Sequence, residues 1–96
     1  MHRSDDRLLV IEDDHRIRCE LMEAMNQEGF DTQVAVSLKD ARVALETSFG
    51  AVIVDLGLPD GNGLDLVREL RAKGRGLPIL ILTARDAPEE RVQGLE

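Results

Sequence analysis

Aromatic residues are nearly missing from this chain of 96 residues, which has two phenylalanines and neither tryptophan nor tyrosine. Hydrophobic residues nevertheless make up 43% of the sequence. That share is enough for one hydrophobic core, and the core must be largely aliphatic. A chain of this length forms one domain at most, which we expect to span residues 1–96.

Cysteine and long apolar runs are scarce as well. Cys19 is the single cysteine, so no internal disulfide can form, and a reducing, cytoplasmic setting fits this composition. No apolar run is long enough to cross a membrane, and the polar segment Met1–Asp6 does not resemble a secretory signal. We therefore expect a cytoplasmic protein that does not bind membranes.

Positive charge is in the minority, with 12 Lys and Arg against 19 Asp and Glu and a net charge of −7. This balance disfavours direct binding to nucleic acid or to anionic lipid. Solubility alone explains most of these acidic residues. The informative ones are those that share a position in the strand pattern.

Short, unbroken apolar runs are the main feature that the sequence does have. Three of them, at residues 8–11, 51–54 and 79–82, have the length and aliphatic composition of strands buried on both faces of a parallel sheet. A weaker strand is expected around Thr32–Val36. The sequence therefore predicts a sheet of four strands.

Helix-like segments alternate with these runs. Asp14 and Ser37 stand where a side chain can cap the first turn of a helix, and Gly29 can end the first helix. Apolar residues recur at helical spacing after each cap and again over about Leu64–Lys73, and a fourth helical pattern begins near Asp86. The order βαβαβαβα predicts an α/β domain with a mostly parallel sheet and right-handed crossovers.

Oxygen-bearing side chains follow three of the predicted strands. Glu12 and Asp13 come directly after the first strand, Asp55 after the third and Thr83 after the fourth. Ligands bind outside the carboxyl ends of the strands in such sheets, so these side chains should converge on one crevice. Clustered carboxylates repel one another unless a cation neutralises them, and hard oxygen ligands suit Mg²⁺.

The chemistry expected of this crevice is phosphoryl transfer. The carboxylate of Asp55 can act as a nucleophile and form an acyl phosphate. Mg²⁺ would bridge Asp13, Asp55 and the phosphoryl oxygens, and the Thr83 hydroxyl would donate to one of those oxygens. Positioning and charge neutralisation are most of what phosphoryl transfer requires of a protein. Each acidic turn alone is as well explained by a solvated loop or a helix cap. The two acidic turns and the turn at Thr83, taken together in this order, are not.

A resemblance to a known family is carried by the segments LVIEDD, VIVDLGLPDGNG and PILILTAR. From residue 7 to its end, the chain resembles the receiver domain of bacterial two-component response regulators. The resemblance implies a CheY-like (flavodoxin-like) doubly wound sheet and a signalling switch, not an enzyme. It implies that Asp55 takes its phosphoryl group from a sensor histidine kinase, that Glu12 and Asp13 form the acidic pair, and that the Gly57 carbonyl is a further Mg²⁺ ligand.

The same resemblance implies that Thr83 is the switch hydroxyl. The loop after Asp55 is most similar to receivers joined to winged-helix DNA-binding domains, which implies control of a DNA-binding output domain that is absent here. The family's fifth strand, with a lysine that contacts the phosphate, and its fifth helix have no counterpart. We therefore expect a truncated receiver with strand order 2-1-3-4.

Two other functions are considered. An aspartate-nucleophile phosphohydrolase resembles Asp-x-Asp after its first strand, whereas here Gly57 occupies the second acidic position and the candidate nucleophile follows the third strand. Alternatively, the chain is an inert receiver fragment that serves only in dimerisation or interaction. The free edge expected at Ile79–Leu82 and apolar surface around Ile17 and Leu21 predict a homodimer.

Overall fold

The computed structural model describes residues 6–82 and 92–93. The elements in this part of the chain are strands β1 (Arg7–Ile11), β2 (Asp31–Ala35), β3 (Ala51–Asp55), β4 (Gly57–Leu58), β5 (Gly61–Asn62), β6 (Ile79–Leu82) and β7 (Val92–Gln93), and helices α1 (His15–Gln27), α2 (Leu38–Ala44) and α3 (Gly63–Ala72). The main sheet has the order β2-β1-β3-β6-β7, and β4 and β5 form a separate hairpin.

The first four strands of the main sheet are parallel. β1 pairs with β2 on one side and with β3 on the other, and β3 pairs with β6. The predicted α/β class and the predicted order of these four strands, 2-1-3-4, are confirmed. Each parallel neighbour requires a crossover, and α1, α2 and α3 supply the crossovers.

The edge beyond β6 differs from the expectation. β7 runs antiparallel to β6 and pairs Gln93 with Ile81 and Val92 with Leu82. The prediction that β6 presents a free edge along its whole length is therefore wrong for its second half, while Ile79 and Leu80 lie outside this ladder. An antiparallel partner needs only a short connection to return, whereas a parallel fifth strand would need a full crossover.

The two faces of the sheet carry separate cores. Side chains alternate along β1, so Leu9 and Ile11 face α2 and α3 while Leu8 and Val10 face α1. Apart from Phe49, the buried core is aliphatic. On the α1 face Ile17 and Leu21 are half-buried, and an open apolar cavity of about 310 Å³ is lined by Leu8, Met25, Phe30, Ala51, Val52, Ile53, Pro78, Ile79 and Leu80.

The predicted helix caps are present. The Asp14 side chain accepts a hydrogen bond from the Ile17 amide, Ser37 accepts from the Asp40 amide, and Gly29 has the positive φ of +98° that suits glycine after a helix. The fourth helix expected from Asp86 is wrong at Val92–Gln93, which form β7, and the rest of that prediction lies outside the described residues. Within residues 6–82, no helix has the length and the apolar character needed to cross a bilayer.

Candidate functional site

Three carboxylates meet at the carboxyl ends of β1 and β3. These strands are neighbours, with Ile11 paired to Val54, so the residue after β1 and the last residue of β3 stand side by side. One carboxylate oxygen from each of Glu12, Asp13 and Asp55 can be chosen so that all lie within 4.8 Å of one another. The structure thus brings these three sequence-predicted site residues together.

Burial dominates the electrostatics of this cluster. Glu12 and Asp55 are each 3% exposed, whereas Asp13 is exposed to solvent. Loss of solvent raises the pKa of Glu12 to about 7, against the pull of the Asp14 amide, which donates to Glu12 Oε2 at 3.1 Å. The negative charges of Asp55 and Asp13 also raise the pKa of Glu12.

Burial is also the largest influence on the pKa of Asp55, but more hydrogen bonds oppose it there than at Glu12. Burial raises the pKa of its carboxyl, while hydrogen bonds from the Glu12 carboxyl and from the backbone amides of Gly57 and Leu56 oppose this rise. Asp13 raises the pKa of Asp55 through its negative charge. Burial is thus the chief reason that the pKa of both carboxyls is raised.

The donor set fits Mg²⁺. It consists of carboxylate oxygens, which are the hard ligands that this ion takes from proteins. Within residues 6–82 the salt bridges join Arg42 to Glu69 and Arg68 to Asp65, and neither reaches the cluster. A divalent cation would supply positive charge to this cluster of carboxylates.

Two glycines allow the chain to fold closely under Asp55. A Cβ atom on Gly63 would overlap the Asp55 carbonyl oxygen and would lie 2.9 Å from Val54 Cγ2, so only glycine lets α3 start against the end of β3. Gly61 has a φ of +151°, and its Cβ would lie 2.7 Å from Leu38 Cδ1. The turn between β3 and α3 therefore depends on both positions.

Asp60 connects this turn to α2, a contact that sequence reasoning missed. The amides of Leu38 and Lys39 donate to its two carboxylate oxygens at 2.8 and 3.0 Å. These hydrogen bonds, with that from Leu38 the stronger, lower the pKa of Asp60. The sequence shows Asp60 only as a turn residue after Pro59, because its partners lie more than 20 residues away.

Arg18 is a second residue that the sequence pattern did not single out. Its guanidinium Nη1 lies 3.1 Å from the Glu12 carbonyl oxygen and 3.3 Å from the Asp13 carbonyl oxygen. A signal was present in the spacing, because an arginine one turn into a helix reaches back toward the segment before that helix. Gly57 lies in open space beside Asp55, while Thr83 lies outside the described residues, so the roles of the Gly57 carbonyl and the Thr83 hydroxyl stay predictions.

The chain is similar in sequence to known proteins. Residues 8–96 match the family model of the response regulator receiver domain. The transcriptional regulatory protein QseB of Escherichia coli O157:H7 is 44% identical over 90 residues, which is 93% of this chain and 41% of that protein. The two-component response regulator PhoP of Pseudomonas aeruginosa is 42% identical over 93 residues, which is 93% of this chain and 40% of that protein.

A solved structure with the same fold carries a metal. The response regulator protein TrrA of Thermotoga maritima, crystallised in complex with Mg²⁺-BeF, has a TM-score of 0.77 and 31% sequence identity. The alignment covers 83% of this chain and 70% of the TrrA chain. The chain therefore spans about two fifths of the length of its curated relatives and a larger part of this solved structure.

Proposed function

The chain belongs to the family of response regulator receiver domains, and we propose that Asp55 is the residue that accepts the phosphoryl group. Members of this family are signalling switches of two-component systems. The match does not favour the alternatives of an aspartate-nucleophile phosphohydrolase or of an inert interaction module. The observation that carries the proposal is the burial of the Asp55 carboxylate at the end of β3, against Glu12 and Asp13.

The proposed reaction uses Asp55 as a nucleophile. A carboxylate oxygen of Asp55 forms a bond to phosphorus while the bond between phosphorus and the leaving group of the donor breaks. The backbone amides of Gly57 and Leu56 favour the charged form of the Asp55 carboxyl, because they lower its pKa.

Mg²⁺, held by Glu12, Asp13, Asp55 and the Gly57 carbonyl, would neutralise the carboxylates and the phosphoryl oxygens. The exposed carboxylate of Asp13 is the one that an ion arriving from solvent meets first. We further propose that the Thr83 hydroxyl donates to a phosphoryl oxygen. TrrA, which has the same fold, was crystallised in complex with Mg²⁺-BeF, and this supports Mg²⁺ as the cation of this chain.

Receiver domains of response regulators interact with histidine kinases and can dimerise. For this chain we propose a sensor histidine kinase as phosphoryl donor, a homodimer as assembly state and the cytoplasm as location. The relatives named transcriptional regulatory proteins support an output in transcription, through a DNA-binding domain of a longer protein. The half of β6 that lies outside the β7 ladder supports self-association less strongly than a fully free edge would.

Labelling with a small phosphodonor tests the role of Asp55. Incubation with acetyl phosphate and Mg²⁺ should add one phosphoryl group to the parent chain and none to Asp55→Asn, as read by intact mass. Asp40→Asn is the matched control, because it removes an exposed carboxylate from the first turn of α2 and should label like the parent.

The outcomes separate the three functions. A phosphoryl group that is acquired and slowly lost supports the switch, rapid continuous turnover of the donor indicates a phosphohydrolase, and an unlabelled parent indicates an inert module. Equal labelling of the parent and of Asp55→Asn would contradict the assignment of the acceptor.

A further inference from the structure

The turn that bears Glu12 and Asp13 is held by a side chain from α1. Arg18 Nη1 donates to the carbonyl oxygens of both residues, at 3.1 and 3.3 Å, and Arg18 Nη2 lies 3.2 Å from His15 Nδ1. Side chains in a helix tilt toward its amino end, so a residue at this place in α1 reaches the segment that precedes the helix. Arg18 therefore links the helix to the acidic turn.

These two carbonyl groups have a special relation to Asp13. The Glu12 carbonyl belongs to the peptide plane before the Asp13 Cα atom, and the Asp13 carbonyl belongs to the plane after it. Because peptide units are planar, fixing both planes fixes the backbone dihedrals of Asp13 and with them the direction of its Cα–Cβ bond. One guanidinium nitrogen thus sets the direction in which the Asp13 side chain leaves the backbone.

Asp13 needs such support more than its neighbours do. Glu12 and Asp55 are buried, so packing limits the movement of their side chains. Asp13 is exposed to solvent, and packing does not hold it toward the other two carboxylates. A metal ligand that is free to turn away costs entropy each time it binds.

We propose that Arg18 is a positioning residue for the Asp13 carboxylate in the cation site. The inference rests on the proposed function in one respect, since it requires Asp13 to be one of the groups that bind Mg²⁺. Arg18 acts through the backbone of the acidic turn and does not contact the ion or the phosphoryl group. It resembles the outer residues of metal sites, which orient the ligands and contribute to affinity indirectly.

Charge and positioning make opposite predictions for this arginine. A guanidinium near a divalent cation repels it, so by charge alone the loss of Arg18 would tighten Mg²⁺ binding. Loss of the hydrogen bonds to the turn would weaken Mg²⁺ binding. The sign of the change therefore separates the proposed role from a simple surface charge.

The test measures the affinity of the 96-residue chain for Mg²⁺ alone, from the rise of the thermal unfolding midpoint with MgCl₂ concentration. Arg18→Met keeps an apolar stem and removes both the donors and the charge, and should weaken binding about fivefold, below the loss of about tenfold or more typical of residues that contact a metal ligand directly. Arg18→Lys keeps the charge with a shorter reach and a different donor geometry, and should give an intermediate affinity.

Arg16→Met is the matched control. Arg16 is exposed on the same helix, and no side-chain hydrogen bond of Arg16 occurs among the described residues. Its loss should leave Mg²⁺ affinity unchanged or slightly raised. An Arg18→Met variant that binds Mg²⁺ as tightly as the parent, or more tightly, overturns the proposal, as does a parent with no measurable affinity for Mg²⁺.

A second measurement keeps this inference separate from the phosphorylation of Asp55. Unfolding without metal shows whether each variant is folded, and if Arg18→Met does not fold, parent-like affinity in Arg18→Lys overturns the proposal. Acetyl phosphate labelling at saturating Mg²⁺ is then compared between the parent and Arg18→Lys. An unlabelled parent with the predicted order of affinities contradicts the proposed function and supports the role of Arg18, while a labelled parent with equal affinities does the reverse.

Discussion

The two ends of the main sheet differ in the surroundings of their charged side chains. A charged group has several bonding partners at the amino end, whereas like charges cluster at the carboxyl end. At the amino end, the Arg7 guanidinium donates to Thr47 Oγ1 at 3.3 Å, to the Ser48 carbonyl at 2.7 Å and to Gln33 Oε1 at 3.1 Å. It also lies over the Phe49 ring, 4.2 Å from its centroid. The start of β1 is thereby tied to β2 and to the loop that precedes β3.

At the carboxyl end, three carboxylates meet, and no salt bridge within residues 6–82 reaches them. The pKa of Glu12 is raised to about 7 and that of Asp55 is raised as well, in both cases chiefly by burial. Burial of these carboxylates thus lowers the free energy of unfolding, whereas the contacts of Arg7 at the amino end raise it. Functional sites commonly show this pattern, because an arrangement suited to a ligand is strained without it.

The largest test of this contrast is the pH dependence of the metal-free protein. The pKa of Glu12 is about 7 in the folded chain against an ordinary 4.5, so between these values the folded state binds more protons than the unfolded state. Its free energy of unfolding should therefore fall by roughly 2 kcal/mol from about pH 5 to about pH 8. Urea unfolding in EDTA measures this fall, and saturating Mg²⁺ should reduce it.

Two comparisons test whether Glu12 causes this pH dependence of the free energy of unfolding. Glu12→Gln should flatten it, because the amide does not titrate. The interactions that lower the pKa of Asp60 and of Glu69 stabilise the folded chain when these carboxyls are charged. That stabilisation is lost only at more acidic pH, so it does not contribute to the change between pH 5 and pH 8. Stability that stays flat or rises from pH 5 to 8 in the metal-free parent would contradict the picture of an uncompensated carboxyl end.

Arg7→Met should produce the next largest effect. It removes the three hydrogen bonds at the amino end and the contact of the cation with Phe49, and should lower the free energy of unfolding by about 1.5 kcal/mol. The loss should be the same with and without Mg²⁺. A loss that disappears when Mg²⁺ is added would show that the two ends are not independent.

Thr32→Val should give the smallest change and the opposite sign. Thr32 Oγ1, in β2, is the buried side-chain polar atom without a hydrogen-bond partner in the described part of the chain, so replacing the hydroxyl by a methyl group should stabilise the protein by about 1 kcal/mol. Thr47→Val is the control, because Thr47 Oγ1 donates to the Ala44 carbonyl at 3.0 Å. That variant should lose stability, and a loss in Thr32→Val would mean that its hydroxyl is satisfied in solution.

Local features were predictable from the sequence. The apolar runs became β1, β3 and β6 within a residue or two of the expected bounds, and Asp14 and Ser37 cap the helices that the pattern placed after them. α3 begins at Gly63, close to the expected start, because Asn62 Oδ1 accepts a hydrogen bond from the Leu64 amide. Periodicity and caps depend on residues that are near one another in the chain, so they can be read from the order of residues.

The composition of the candidate site was predictable as well, but only as a set of residues. Parallel strands end at one edge of a sheet, and that rule predicts that Glu12, Asp13 and Asp55 lie close together. Thr83 belongs to the same prediction, which stays untested at that position. The direction of each side chain and the raised pKa values of Glu12 and Asp55 were not part of it.

Tertiary structure alone decided the rest. Asp60 holds the amides of Leu38 and Lys39, and β7 pairs antiparallel with β6 where a free edge was expected; both are contacts between distant segments. The high pKa of Glu12 likewise follows from burial by neighbours that come from other elements. Desolvation and long-range hydrogen bonds arise only when separate segments pack against one another, which the order of residues along the chain does not by itself specify.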